Sequence, residues 1–331
     1  TAITTGDNNT LIGYAAGDAI TTASHNTFVG ENAGTATTSS DNTGIGRHAL
    51  TANTSGINTA VGYRAMDATT TGTSNVAVGV DALGGNVDGD QSVAIGNEAL
   101  LVQDPASNVD MNNVAVGYRA GYAVTTGTNN ILVGSGAGDA ITTAAGNTAV
   151  GHNALTGNVT GADNTAVGYN TLPVNTVDGN TAFGANALNV NTSGTLNVAV
   201  GRNPLVANTT GTQNTAVGAY ALDANTTASY NTAVGQAALG ANTTGAGNTA
   251  VGQTALTANT TGAQNVGIGA GAGAAITTAN NNTAVGYTAL AACTTGANNV
   301  AVGYQALNAH TTGSGQNVAI GTSAAAALTT A

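Results

Sequence analysis

Residues that could perform chemistry are few and widely scattered in this chain. His25, His48, His152 and His310 lack the short, fixed spacing by which metal ligands are usually recognised. Cys293 is the only cysteine, so the sequence predicts no internal disulfide and no thiolate cluster, and we interpret it as a small buried side chain. The fifteen acidic residues form no evident catalytic pair. We therefore expect no catalytic, cofactor-binding or metal-binding site, and no bound cofactor.

Two segments imitate ligand-binding sites. The string GIGAGAG at 267–273 resembles a dinucleotide-binding loop, but no strand–helix context surrounds it, and a repeat described below accounts for its glycines. The single long insertion falls at about 101–113, where Asp104 and Asp110 could bind a hard cation together with backbone oxygens. The alternative is an ordinary exposed bulge, and we favour that interpretation.

The charge of the chain excludes several classes of partner. The formal net charge is −11, with four arginines and no lysine. Binding a phosphate backbone requires clustered basic residues, so we expect no nucleic-acid partner. The same deficit disfavours an anionic membrane surface, and no run of about 18 apolar residues is present that could span a bilayer.

The elements that must position any site come from one repeat. A glycine that closes a triplet such as AVG, which we number position 0 and call the corner glycine, recurs nineteen times between Gly13 and Gly321. Of the eighteen intervals between successive corner glycines, thirteen equal seventeen, three equal sixteen, one equals eighteen and one equals twenty-one. Such constant spacing predicts an all-β parallel β-solenoid of about nineteen coils over residues 1–331, taken as one array.

Columns of this repeat have physical roles. Position −1 is always Val, Ile or Phe and position −3 is always Thr, Val or Ile, so we expect a strand whose −3 and −1 side chains face inward. Position −4 is Asn in eighteen coils, with Ser92 the exception, which predicts hydrogen-bonded stacks of Asn side chains. An invariant glycine at position 0 predicts a positive φ or a close backbone approach.

Positions +4 and +7 covary within the chain. Position +4 is usually Leu with a polar +7, but Gly17, Gly34, Gly121, Gly138 and Gly273 are followed at +7 by Ile20, Thr37, Val124, Ile141 and Ile276. A lost Leu leaves a cavity that a branched side chain could fill, so we expect both positions to face one core. Position +8 is mostly Thr, and Val87 and Val159 in that column suggest that it turns inward. Each coil is thus expected to contain a strand, a glycine corner, a second strand and a Thr-Gly turn.

An apolar column predicts self-association. If −3 and −1 face inward, position −2 faces outward, and it holds Ala fourteen times, Gly twice, and Leu11, Phe28 and Leu132. An outward column without any polar residue is typical of an interface, so the sequence favours a homo-oligomer. The alternative is that a loop covers this column.

Two coils link the repeat to a known family. QSVAIGNEAL at 91–100 and QNVAIGTS at 316–323 resemble the head repeats of trimeric autotransporter adhesins. The whole chain is also similar to the NTAVGYxAL…NTTG arrays of adhesin-like and phage tail-fibre-like proteins. The resemblance implies a left-handed β-roll, a homotrimer and a cell-surface or glycan receptor. The coil of this chain is longer than is usual for adhesin heads, and no neck, stalk, anchor or chaperone domain of that family is present in the sequence.

The leading functional hypothesis is a non-enzymatic extracellular fibre shaft or head at a cell surface or on a virion. Residue 1 falls at +5 of a coil and Ala331 at +10, so we expect a piece of a longer, uncapped fibre. The alternative is an ice- or surface-binding solenoid, suggested by the Thr column at +9. A polysaccharide-cleaving solenoid would require clustered acidic residues. Tyrosines at +1 could stack on sugars or merely decorate the surface; they are Tyr14, Tyr63, Tyr118, Tyr169, Tyr287 and Tyr304.

Overall fold

The computed structural model describes residues 3–312 and 315–329, and within these ranges it contains strands and turns but no helix. The chain divides into two compact units, Thr1–Asn164 and Thr165–Ala331. The strands of the first unit are β1 (Thr10–Ile12), β2 (Thr27–Val29), β3 (Thr43–Ile45), β4 (Thr59–Val61), β5 (Val76–Val78), β6 (Gly89–Asp90), β7 (Val93–Ile95), β8 (Val109–Asp110), β9 (Val114–Val116), β10 (Ile131–Val133) and β11 (Thr148–Val150). Those of the second unit are β12 (Thr165–Val167), β13 (Thr181–Phe183), β14 (Val198–Val200), β15 (Thr215–Val217), β16 (Thr232–Val234), β17 (Thr249–Val251), β18 (Val266–Ile268), β19 (Thr283–Val285), β20 (Val300–Val302) and β21 (Val318–Ile320).

Equivalent strands of successive coils pair in parallel within each unit. Thr215 pairs with Thr232, which in turn pairs with Thr249, so that each residue lies beside its counterpart one coil away. The register is the same where the coil is one position shorter, as where Thr165 pairs with Thr181. The prediction of a parallel β-solenoid built on this repeat is therefore confirmed.

The corner glycines are required for both reasons that the sequence suggested. Their φ values lie between 115° and 141°, a region that side chains with a Cβ rarely adopt. An ideal Cβ on Gly235 would also lie 2.5 Å from the carbonyl oxygen of Gly252 in the next coil. The glycine column thus lets neighbouring coils approach within hydrogen-bonding distance at the corner.

The two faces of the strand are the reverse of what the sequence analysis expected. Position −2 is buried in every coil except the first, where Leu11 is half-buried, and Ala216, Ala233 and Ala250 have no exposed surface. Positions −3 and −1 are half-buried or exposed throughout, and Val217, Val234 and Val251 are about one-third exposed. The prediction of an inward Thr–Val pair was wrong, and so was the placement of an interface on position −2.

Steric fit explains why the small residue faces inward. Gly138 takes the place of the usual Leu at position +4. An ideal Cβ on Gly138 would lie 2.8 Å from both Ile141 Cδ1 and Leu132 Cδ2. The space is thus filled by position +7, as predicted, and also by a large residue at −2. With Leu present at +4, little room remains at −2 for more than Ala.

The predicted second strand is absent from the described residues. Positions +2 to +7 instead form successive tight turns in which +2 and +4 have positive φ, as in Tyr220 (59°) and Leu222 (51°). Each turn is closed within the coil, as in Ala221 N to Gly218 O and Asn225 N to Leu222 O. Coil-to-coil backbone hydrogen bonds also continue here, such as Leu222 N to Ala238 O at 3.1 Å.

Two stacks of buried amides line the interior. At position −4, Asn214 Oδ1 accepts hydrogen bonds from the backbone N and the Nδ2 of Asn231, at 3.0 and 3.3 Å. At position +7, Asn225 Nδ2 donates to Asn208 Oδ1 at 2.8 Å. The amides of Asn214 and Asn225 both donate to the Ala228 carbonyl. The predicted stacking of Asn at −4 is confirmed, and +7 forms a second stack beside it.

The one coil without Asn at −4 compensates with a longer amide. Ser92 Oγ and the Gln103 side chain, both fully buried, exchange hydrogen bonds of 3.0 and 3.3 Å. Gln103 Oε1 also accepts from Asn113 Nδ2 at 2.9 Å. Ser92 is the only serine at −4 and Gln103 the only glutamine at +7, so the short and long side chains are matched within one coil.

Candidate functional site

In each unit, positions −3 and −1 form an exposed, largely apolar surface that recurs in every coil, which we call the Thr–Val face. It contains no charged residue in any coil, because −1 is Val, Ile or Phe and −3 is Thr, Val or Ile. The aliphatic side chains remain exposed in the interior of the stack, as for Ile131 (45%), Phe183 (42%) and Ile268 (40%). Contiguous exposed apolar patches typically mark interaction surfaces.

The surroundings of the Thr–Val face make its side-chain spacing regular. The parallel strands place equivalent side chains about 4.7–4.9 Å apart from coil to coil. On the opposite side of each strand, the residue at −2, usually Ala, packs in the interior. The buried Asn stack at −4 borders one side of the face and the corner glycines border the other. An ordered, preformed surface loses little conformational entropy when it associates with a partner.

Charged side chains lie outside this face, and all four arginines are at positions +1 and +2. Arg64 contacts Asp67 at 2.7 Å and Asp81 at 3.6 Å, and Arg47 contacts Glu31 at 3.3 Å. The hydrogen bond that Arg64 donates to Asp67 is the main cause that raises the pKa of Arg64. The side chains of these pairs are partly exposed, so the pairs contribute little to stability.

The carboxylates of Asp104 and Asp110 each hydrogen-bond to a different partner. Asp104 accepts a hydrogen bond from the Val87 backbone N at 3.2 Å, whereas Asp110 accepts one from Gln91 Nε2 at 2.6 Å. The inserted chain adds the two-residue strand β8, which pairs in parallel with β6. Residues 106–110 are exposed, and Met111 returns the chain to the buried interior. The segment is an exposed bulge anchored at both ends.

The structure keeps most of the histidines apart. His25 lies 3.6 Å from Asp41, and His48 packs edge-on against Tyr63. No group of three or more His, Cys, Asp or Glu side chains that could hold a metal ion occurs among the described residues. His310, however, is fully buried at +7 of the coil that follows Cys293, which is also fully buried at +7. The glycines of 267–273 occupy strand, corner and turn positions, without an adjoining helix.

The tyrosines at +1 are exposed, as the sequence analysis expected. Tyr287 and Tyr304 stack on each other with ring centroids 5.7 Å apart and an interplanar angle of 11°. Their outer faces remain accessible, since the two residues are 55% and 50% exposed. The aromatic pair lies beside the Thr–Val face, next to the corner glycines.

The Thr columns of the turn differ from expectation. Position +8 does not turn inward: it is half-buried or exposed, and its hydroxyl donates to the +8 carbonyl of the next coil, as from Thr226 to Thr243 O at 3.2 Å. The threonines at the neighbouring +9 position that the structure describes, such as Thr227, are exposed. The outward Thr row predicted at +9 is therefore present, and part of the +8 row accompanies it.

A signal in the sequence could have identified the Thr–Val face as outward. The three large residues at −2, Leu11, Phe28 and Leu132, occur only in coils with Gly at +4. Likewise, the coil after that of Phe28 has Gly44 at −2. An ideal Cβ on Gly44 would lie 2.8 Å from Phe28 Cδ1. Size compensation among −2, +4 and +7 shows that −2 shares their core.

Comparison with protein-family models and with curated proteins gives no significant match. Among the described residues, no helix is both long and apolar enough to cross a membrane.

Proposed function

We propose that this chain is a non-enzymatic segment of an extracellular fibre, an adhesin or a phage tail fibre, which assembles as a homo-oligomer through its Thr–Val faces. The observation that carries the proposal is an exposed, uncharged and largely aliphatic surface repeated in every coil. Solvated surfaces are normally mixed, whereas apolar surfaces of this extent are normally covered.

The size of the face supports a stable association. In the second unit alone, ten strands present two outward side chains each. Stable interfaces use about 20–30 residues from each partner, so twenty side chains are enough to form a specific contact. The resemblance to autotransporter heads favours three copies, with a trimer axis that the three Thr–Val faces surround.

A fibre role is further supported by the composition. The chain has 6% charged residues and four possible tryptic sites, properties that suit a protein exposed to a proteolytic exterior. Its hydrogen-bond donors and acceptors are consumed in repeated stacks, which stiffen the coils. In this role the protein holds a receptor-binding region away from a cell or virion surface.

Solution mass by multi-angle light scattering tests the proposal. We expect about three times the chain mass at micromolar concentration. Val234→Lys/Val251→Lys places two charges on the Thr–Val face and is expected to yield monomers. The matched control, Gln236→Lys/Gln253→Lys, adds the same charges at the exposed +1 position of the same coils and should leave the mass unchanged. A monomeric wild-type protein would overturn the proposed assembly.

A second candidate function is binding to ice or to another ordered surface. The observation that favours it is Thr at −3 in eleven coils of the exposed, regularly spaced Thr–Val face. Regular hydroxyl and methyl groups on such a surface could order water. Thermal hysteresis at high protein concentration tests this candidate, and a monomeric protein with a measurable freezing gap would favour it over the fibre. If no thermal hysteresis is measured, ice binding is eliminated as a function.

A further inference from the structure

The +7 column contains a local departure from its usual pattern. Six consecutive coils of the second unit have Asn at +7, and the next three have Ile276, Cys293 and His310. Neither Cys293 nor His310 has any exposed surface. Both side chains thus enter the interior at a place where the neighbouring coils supply Ile276 and Leu328.

His310 is buried without satisfying its polar atoms. Neither Nδ1 nor Nε2 has a hydrogen-bond partner among the described residues. A buried polar group without a partner costs about 1–3 kcal/mol, and such groups in folded proteins usually have a specific explanation. The Asn side chains elsewhere in this column donate both to one another and to a carbonyl of their own coil, as Asn242 does.

His310 and Cys293 face the same small space above Gly296. The point where a Cβ of Gly296 would lie is 3.0 Å from His310 Nε2 and 3.2 Å from Cys293 Sγ. Asn299 Nδ2 is also 3.2 Å from that point, but it donates to Asn282 Oδ1 at 3.0 Å and cannot act as a ligand. The thiol donates one weak hydrogen bond to the Gly296 carbonyl oxygen, at 3.4 Å. Because Gly296 has no Cβ, no side chain of its own separates the sulfur from the free nitrogen, and both atoms lie on the same side of its backbone.

We propose that Cys293 and His310 together bind a single soft monovalent metal ion, Cu(I) or its analogue Ag(I). Thiolate and imidazole are the ligands that Cu(I) prefers, and Cu(I) and Ag(I) accept coordination by two ligands. Zinc requires four ligands, and the described residues offer no group of three. A thiolate with a monovalent cation is also neutral overall, which minimises the cost of burial.

Metal binding requires the thiol to lose its proton. Burial raises the pKa of the Cys293 thiol, so the metal-free side chain is neutral at physiological pH. The balanced step is Cys–SH + M⁺ → Cys–S–M + H⁺, in which the sulfur–metal bond replaces the sulfur–hydrogen bond and the proton leaves to solvent. His310 coordinates as the neutral imidazole through Nε2. Apparent affinity should therefore increase about tenfold per pH unit in the range below the thiol pKa.

Competition binding on the full chain tests this site. Cu(I) is added without oxygen to the protein and a chromophoric Cu(I) chelator, and Ag(I) is tested separately by calorimetry. We expect one equivalent bound per chain, with protection of Cys293 from alkylation. Cys293→Ser and His310→Asn should each weaken binding by at least about tenfold. His310→Asn should fold, because Asn is the common residue of its column. His25→Asn is the control at an exposed histidine.

Three results would overturn the proposal. The first is wild-type affinity no higher than that of Cys293→Ser. The second is unchanged affinity in His310→Asn, which would mean that the thiol binds metal without the histidine. The third is Zn²⁺ binding as tightly as Cu(I) at one equivalent. Circular dichroism of each variant verifies that a lost affinity does not reflect a lost fold.

Discussion

Two regions of the molecule fill the same interior by different means. Between residues 188 and 259, each coil has Leu at +4 and Asn at +7, and the amides stack on one another; we call these the Leu–Asn coils. Between residues 121 and 141, two coils have Gly at +4 and a branched apolar residue at +7; we call these the Gly–apolar coils. Both arrangements are fully buried.

The comparison shows that the volume of the interior is conserved while its polarity is not. In a Gly–apolar coil, Ile141 and Leu132 occupy the space that Leu takes elsewhere, and no amide needs a partner there. The junction between the two types is less favourable. Asn259 Oδ1 has no hydrogen-bond partner among the described residues, because Ile276 follows it in the column. A change from Asn to an apolar residue at +7 in the next coil therefore leaves one buried amide oxygen without a hydrogen-bond donor.

Leu222→Gly tests the role of volume in a Leu–Asn coil and should have the largest effect. Leu222 has a φ of 51°, so Gly fits the backbone and the change isolates the lost side chain. We expect the free energy of unfolding to fall by about 2–5 kcal/mol, the usual cost of a buried Leu cavity. Urea unfolding followed by circular dichroism measures it. A loss below about 1 kcal/mol would mean that the interior collapses around the gap.

Gly138→Ala tests the Gly–apolar coils in the opposite direction, by overfilling. The new Cβ would lie 2.8 Å from Ile141 Cδ1 and Leu132 Cδ2, and overpacking typically costs about 1–3 kcal/mol. Gly247→Ala is the matched control, because its φ is also positive, at 71°, but its nearest neighbour would be 3.7 Å away. The difference between the two variants in thermal unfolding reports the overpacking alone. Equal losses would contradict a tightly filled core.

The sequence was sufficient to predict features that depend on a single repeat position whose residue type scarcely changes from coil to coil. The corner glycine, the Asn stack at −4 and the parallel pairing follow from columns that scarcely vary, and the structure confirms them. The coupling of Gly138 with Ile141 was also predictable, because both substitutions occur within one coil.

Features that depend on comparing positions were harder to predict. Alternation showed that −2 opposes −1 and −3, but none of the three columns carries a charge. The eleven threonines at −3 and the size compensation of −2 with +4 were the only sequence signals of which side faced the core, and both were missed. The turns at +2 to +4 were missed because Leu with a positive φ is rare, and Leu222 adopts it only because coil-to-coil hydrogen bonds hold it there. The proximity of Cys293 and His310 was predictable, because both occupy +7 of successive coils and the columns stack. The unpaired nitrogens of His310 required coordinates.

A double-mutant cycle on Leu222→Gly and Asn225→Ile asks whether one coil type can be converted into the other. Asn225→Ile alone should collide with Leu222 and interrupt the amides of Asn208 and Asn242. In the double variant the Ile fills the space that Leu222 vacates, as Ile141 does beside Gly138. We expect a favourable coupling of about 0.5–3 kcal/mol from the four unfolding free energies. Strict additivity would show that +4 and +7 do not share a space.

Thr226→Val and Thr125→Val test a feature common to both coil types and should have the smallest effect. Each hydroxyl donates to the +8 carbonyl of the next coil, at 3.2 Å from Thr226 and 3.1 Å from Thr125. A partly exposed hydrogen bond contributes about 0.5–1.5 kcal/mol at most, and water can replace the lost donor. We expect equal losses, at or below the lower end of that range, in a Leu–Asn coil and a Gly–apolar coil, measured by urea unfolding. Thr227→Val, at the exposed +9 position, is the control. Unequal losses would mean that the interior filling alters the turn as well, and the two coil types would then differ in more than their cores.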